Sequence, residues 1–135
     1  MSIWHEELEI ALWPVEDQPL GSSGLTFAIS NLLSRVEVYH QCRVGYVKDR
    51  RTQMETMPHC WIELPDGWCI DLTLRRWLDD DDAIPHGVFR FSDHPRVCYH
   101  GSPLQVPDLD DETLEAMTDG IHTSIRLPPM IDRAA

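Results

Sequence analysis

Pro58-His-Cys-Trp-Ile-Glu-Leu-Pro-Asp-Gly-Trp-Cys-Ile-Asp71-Leu-Thr73 is the stretch whose reading decides the fold. Apolar and polar residues alternate from His59 to Leu64, Pro65-Asp66-Gly67 supplies turn chemistry, and Trp68 to Asp71 returns, so the run predicts an antiparallel hairpin. Residues near opposite ends of two paired arms are drawn together across the ladder, which makes His59 and Asp71 expected neighbours. An aspartate accepting from one ring nitrogen fixes the tautomer and leaves the other nitrogen free as a base. A structural reading stands beside the chemical one: Asp71 is also a favoured N-cap residue for the helical segment Leu72 to Leu78.

Outward from the hairpin, the pattern predicts an α+β chain in which a small antiparallel sheet packs on an apolar helix. Ile3, Trp4, Leu8, Ala11 and Leu12 recur at helical spacing, and Pro14 predicts the end of that first helix. A second helix is expected over Gly24 to Arg35, with Ser22 or Ser23 as N-cap and Leu25, Ile29, Leu32 and Leu33 as its buried stripe. Val38 to Val47 reads as a strand, and Val88 to Phe91 and Arg96 to His100 as shorter ones. Asp108 to Asp119 reads as a last helix, with acidic residues at its start and Gly120 at its end. The tail from Ile121 is expected to lie over the body or to stay unstructured.

With 135 residues, 42% of them hydrophobic, and five Trp, the sequence fits one domain over 1–135, with a core at about 20–78 and a C-terminal extension at about 79–135. No apolar run reaches the length of a membrane helix and the start lacks a basic signal region, so a cytoplasmic protein is expected. Cys42, Cys60, Cys69 and Cys98 form no CxxC pair and suit reduced core thiols. His40-Gln-Cys42, His59-Cys60 and Cys98-Tyr-His100 bring imidazole and thiol together without zinc-finger spacing. Neither a metal nor a cofactor is therefore expected, and a zinc site in the sheet stays a lesser alternative.

The net charge is −12, with one Lys and ten Arg. Direct binding to nucleic acid phosphates is disfavoured by that sign. Asp79, Asp80, Asp81 and Asp82 in the middle and Asp108, Asp110 and Asp111 near the end are candidate contacts for a basic protein partner, including the positively charged groove of a nucleic-acid-binding protein. The alternative is that they merely solvate the surface.

The order of parts resembles the transglutaminase-like branch of the papain-like cysteine peptidase superfamily over about residues 20–78. The resemblance rests on a Gly/Ser loop opening an apolar helix, a strand ending Arg43-Val-Gly-Tyr-Val47, then His59-Cys-Trp-Ile-Glu63 and Gly67-Trp-Cys-Ile-Asp71-Leu-Thr73. It implies a papain/transglutaminase-like core in which His59, with Trp61, is the base and Asp71, with Thr73, orients it. In that family a cysteine opening the helix is the nucleophile, whereas this chain has Gly21-Ser-Ser-Gly-Leu-Thr-Phe-Ala28 there. Three readings follow: Ser23 or Ser22 replaces the thiol, Cys42 or Cys60 has moved into the role, or the scaffold binds without chemistry. Cys60 points away from His59 on a regular strand, and Cys42 is expected to pack in the sheet. Gln18 falls where papain-like enzymes often carry an oxyanion-stabilising glutamine, although a surface loop residue needs no such role.

The expected function is a non-catalytic transglutaminase-like scaffold acting as an acidic protein-binding or inhibitory module. The alternative is a cofactor-independent amide hydrolase or acyl transferase using Ser23, His59 and Asp71.

Overall fold

The computed structural model describes residues 3–78 and 81–129. Within these residues four α-helices, α1 (Ile3–Glu16), α2 (Ser22–Arg35), α3 (Leu74–Trp77) and α4 (Asp111–Thr118), accompany five strands: β1 (Gln41–Asp49), β2 (Glu55–Leu64), β3 (Trp68–Asp71), β4 (Gly87–Arg90) and β5 (Val97–Pro103). The strands form one antiparallel sheet in the order β4-β3-β2-β1-β5. The architecture is α+β, as the periodicities predict.

Strand alternation divides the interior in two. On one face Cys42, Ile62, Ile70 and Val88 meet Trp4, Leu8 and Leu12 of α1 and Leu25, Ile29 and Leu33 of α2. On the other, Val47, Trp61, Cys69 and Phe89 meet Leu74, Leu78, Ile84 and Val97. Burying both faces explains why β3 reads as a continuous apolar run. The tail packs down as well: Ile125 and Leu127 join the helix-side core, and the Trp4 indole N–H donates to the Pro128 carbonyl at 3.0 Å.

Several boundaries differ from the sequence expectation for identifiable reasons. Helix α1 continues past Pro14 to Glu16, because a proline in the last turn removes one hydrogen bond, at exposed Ile10, rather than breaking a helix interior. Helix α2 starts at Ser22, and neither Ser22 nor Ser23 is its N-cap: Gly21 holds that position in extended conformation with no side-chain cap. The first strand starts at Gln41, not Val38, since Glu37 is left-handed (φ 58°) and the Val38 N–H is still bonded to the Leu33 carbonyl of the helix end. Strand β2 begins at Glu55, so His59 lies within it. The helical segment after Asp71 shortens to Leu74–Trp77. Helix α4 starts three residues later than expected, with Asp110 as its N-cap accepting from the Thr113 N–H at 2.8 Å.

A buried carboxylate, Asp49, closes the β1–β2 turn. Asp49 accepts from the Arg51 N–H at 3.0 Å and the Thr52 hydroxyl at 3.0 Å. It also takes both Arg96 Nε at 2.9 Å and Nη2 at 2.8 Å, a bidentate pair that ties the turn to the entry of β5. The Arg96 contact first, then the other donors, holds the Asp49 carboxyl well below the usual carboxylate range against the opposing effect of burial. A depressed carboxyl stabilises the fold above its unfolded value near about pH 4, and that contribution is lost as pH falls through the folded value. Asp49→Asn is therefore expected to lower the urea midpoint at pH 7, with the gap to the parent narrowing below about pH 4.

Candidate active site

The hairpin carries His59 and Asp71 to one place. The Ile62↔Ile70 pairing puts Asp71 beside the continuation of β2, and both side chains project to the face opposite α2, the one that carries Trp61 and Cys69. His59 Nε2 lies 2.7 Å from Asp71 Oδ2, and both side chains are almost wholly buried. The same oxygen accepts from the Tyr99 hydroxyl at 2.8 Å. Oδ1 accepts from the N–H groups of Thr73 at 3.0 Å and Leu74 at 3.2 Å. Asp71 thus orients an imidazole with one oxygen and holds the turn that enters α3 with the other, although the N-cap position itself belongs to Thr73 and not, as the sequence alternative had it, to Asp71.

Every partner of Asp71 is a donor, so Nε2 of His59 carries the hydrogen and Nδ1 is the free base nitrogen. Nδ1 is buried and has no hydrogen-bond partner. The ring packs near-parallel to Trp61, centroids 6.2 Å apart, and Trp61 in turn meets Tyr99 edge-on at 4.9 Å. Room for the indole is made on β5: a Cβ on Gly101 would lie 2.6 Å from the Trp61 ring and 2.8 Å from the Val44 carbonyl. Tyr99 is the residue that sequence reasoning missed. Its only signal is a phenol alternating in phase with buried Val97 on a short strand. Enclosure of its hydroxyl end first, then the Asp71 carboxylate, pushes the phenol well up, so it remains a donor.

The expected nucleophiles do not meet this base. Ser23 is exposed on the first turn of α2. Ser22 Oγ accepts the Cys60 backbone N–H at 3.2 Å. Cys60 is buried, with its thiol pushed up by burial and beside Ser22, and Cys42 packs in the helix-side core. Gln18 is buried and lines a cavity of about 590 Å³ with Glu16, Asp17, Leu72, Arg75, Arg76 and His86. His59 is not part of that lining, so a glutamine beside the helix entrance and the His–Asp pair do not share one cleft.

The acidic candidates divide. Asp79 and Asp80 lie outside the described residues. Asp81 is 3.2 Å from Arg96 Nη1 and accepts from the Ala83 N–H, Asp110 caps α4, and Asp111 pairs with Arg35 at 2.7 Å. Asp82 is fully exposed, 4.0 Å from Arg75, and Asp108 is exposed. Among the described residues no three His, Cys, Asp or Glu side chains converge as a metal site, and no helix is long and apolar enough to cross a membrane.

No family model matches the chain, and searches of curated proteins and of solved structures likewise return no match.

Two variants probe the geometry. Tyr99→Phe removes a buried hydrogen bond to a carboxylate and is expected to cost about 2 kcal/mol of unfolding free energy by urea titration. Gly101→Ala drives a methyl into Trp61 and a backbone carbonyl. A loss of about 1–3 kcal/mol is expected, together with altered tryptophan fluorescence.

Proposed function

We propose that this chain is a transglutaminase-like scaffold without its nucleophile, acting as an acidic module that binds a basic protein, with the positively charged groove of a nucleic-acid-binding protein as the fitting target. The observation that carries the proposal is the sealed imidazole: His59 is fully enclosed, its free nitrogen has no hydrogen-bond partner, and the Ser22 hydroxyl at the opening of α2 is engaged by strand backbone. A base and an orienting acid without an aligned nucleophile supply little rate acceleration. In this reading the pair serves as a buried fastener.

Charge supports the binding half. A net −12 steers toward cationic surfaces, and exposed Glu6 and Glu7 on α1 flank Ile10 and Trp13, the latter 57% exposed. An exposed indole among carboxylates suits arginine, which combines ion pairing with stacking on the ring. The four free cysteines suit a reducing compartment, and we read the protein as cytoplasmic on that ground.

The competing reading, acyl transfer by a Ser-His-Asp variant, is favoured by one observation: the unpartnered Nδ1 of His59, the nitrogen that a nucleophile would address.

Capture of basic nucleic-acid-binding proteins on the immobilised chain separates the two. Binding at low salt is expected to fall at least tenfold between about 50 and 200 mM salt, and again on charge reversal of Glu6, Glu7, Asp82 and Asp108. Capture insensitive to both changes would remove the acidic-module reading. A serine-directed fluorophosphonate that labels Ser22 or Ser23 in the parent but not in His59→Ala would establish the enzymatic one instead.

A further inference from the structure

A hydroxyl–imidazole pair does form in the second half of α2, in contact with an open cavity. Ser30 lies eight residues beyond Ser22, about 12 Å along the helix axis. A serine inside a helix ordinarily turns its hydroxyl back to the carbonyl four residues earlier. Here Ser30 Oγ is 2.7 Å from His40 Nε2 instead, and His40 Nδ1 is 2.8 Å from the Val38 carbonyl oxygen. A carbonyl oxygen only accepts, so Nδ1 carries the ring hydrogen, Nε2 presents its lone pair, and Ser30 donates to it. The tautomer is thereby fixed by the backbone, with Val38 standing where a carboxylate stands in a three-residue catalytic set.

The surroundings complete a site. Cys42, on the strand beneath, lies on the same cavity wall as Ser30, and burial pushes its thiol up, which keeps it protonated beside the hydroxyl. Ser30, His40, Gln41 and Cys42 line a cavity of about 440 Å³ with Pro103, Leu104, Gln105 and Val106. The segment 103–106 is held over β1 by the Leu104 N–H donating to the Cys42 carbonyl at 2.8 Å. The cavity combines a small apolar wall with one hydroxyl, one imidazole and the amides of Gln41 and Gln105, a lining suited to a compact, uncharged ligand.

We propose that Ser30 and His40 form a nucleophilic dyad that accepts an acyl group from small carboxylic esters. As the Ser30 oxygen bonds to the ester carbonyl carbon, its proton passes to His40 Nε2, while the Nδ1 hydrogen stays on the Val38 carbonyl. Collapse of the tetrahedral adduct breaks the carbon–oxygen bond to the leaving alcohol, which takes the proton from Nε2. Acyl-Ser30 and free alcohol remain, and water attacks the acyl group by the same proton route in reverse. A backbone carbonyl stabilises the imidazolium less than a carboxylate does, and the N–H groups of a helix interior are already engaged. Esters with good leaving groups, rather than amides, are therefore the matching class.

The experiment is a burst measurement on the full chain with 4-nitrophenyl acetate, read by nitrophenolate release, intact mass and peptide mapping. One acetyl group per chain on Ser30 is expected. The burst rate should fall at least tenfold in His40→Gln and the adduct should vanish in Ser30→Ala, while Ser34→Ala, at an exposed position of the same helix, retains it. Circular dichroism checks that each variant is folded. Should Ser30→Ala not fold, Ser30→Cys keeps the side chain's reach, and mapped alkylation of that thiol by iodoacetamide should slow at least tenfold when His40→Gln is added. Absence of an adduct, an adduct mapped to Cys42 or elsewhere, or a Ser30 adduct formed equally fast in His40→Gln would overturn the proposal. None of these outcomes bears on salt-dependent capture of a basic partner.

Discussion

The Asp71 carboxylate is the acceptor on which this fold converges. It receives the imidazole of β2, the phenol of β5 and two backbone N–H groups of its own turn into α3, so three segments of the chain are fixed by two oxygen atoms. A buried carboxylate is costly without partners and firmly held with them, which makes such a centre intolerant of partial satisfaction. The aromatic layer above it follows from that placement: His59, Trp61 and Tyr99 can pack in sequence because β5 offers a glycine where the indole needs space.

The sheet has two covered faces, and chemistry is distributed between them. His59 and Asp71 belong to the face closed by α3 and the segment after it, while the hydroxyl-rich helix α2 lies on the other. That separation explains why a base and its orienting acid exist beside a helix that opens with two serines, yet neither serine is bonded to the base. Along the same helix, Ser30 meets a different histidine at the strand entrance. Charge is distributed as unevenly: Asp49 and Asp81 are consumed by Arg96, and Asp110 and Asp111 by α4 and Arg35, whereas Glu6, Glu7, Asp82 and Asp108 remain toward solvent.

Local rules make much of this legible from the amino-acid order. Period-two alternation around Pro65-Asp66-Gly67 specifies the hairpin, and the hairpin's register alone brings His59 to Asp71, because pairing is fixed by the turn and by which side chains must be buried. The stripes Leu25-Ile29-Leu33 and Trp4-Leu8-Leu12 specify helices that cover one sheet face. Residue chemistry offers Asp71 as imidazole partner or as helix cap; a carboxylate has two oxygens, and in the fold one takes the imidazole while the other takes two N–H groups of the turn into α3.

Contacts between segments far apart in sequence were decided only by the tertiary structure. Tyr99 reaches Asp71 across 28 positions, Arg96 reaches Asp49 across 47, and Cys60 N–H finds Ser22 across 38. No periodicity encodes these, because each depends on which strand lies at the sheet edge and on how far a neighbouring strand extends before turning away. The sequence by itself determined the α+β class, the hairpin and its His–Asp pair, all set by interactions within a few residues or one ladder. Which hydroxyl meets which imidazole was decided by packing, since a side chain's partner is fixed by the faces that the assembled sheet presents.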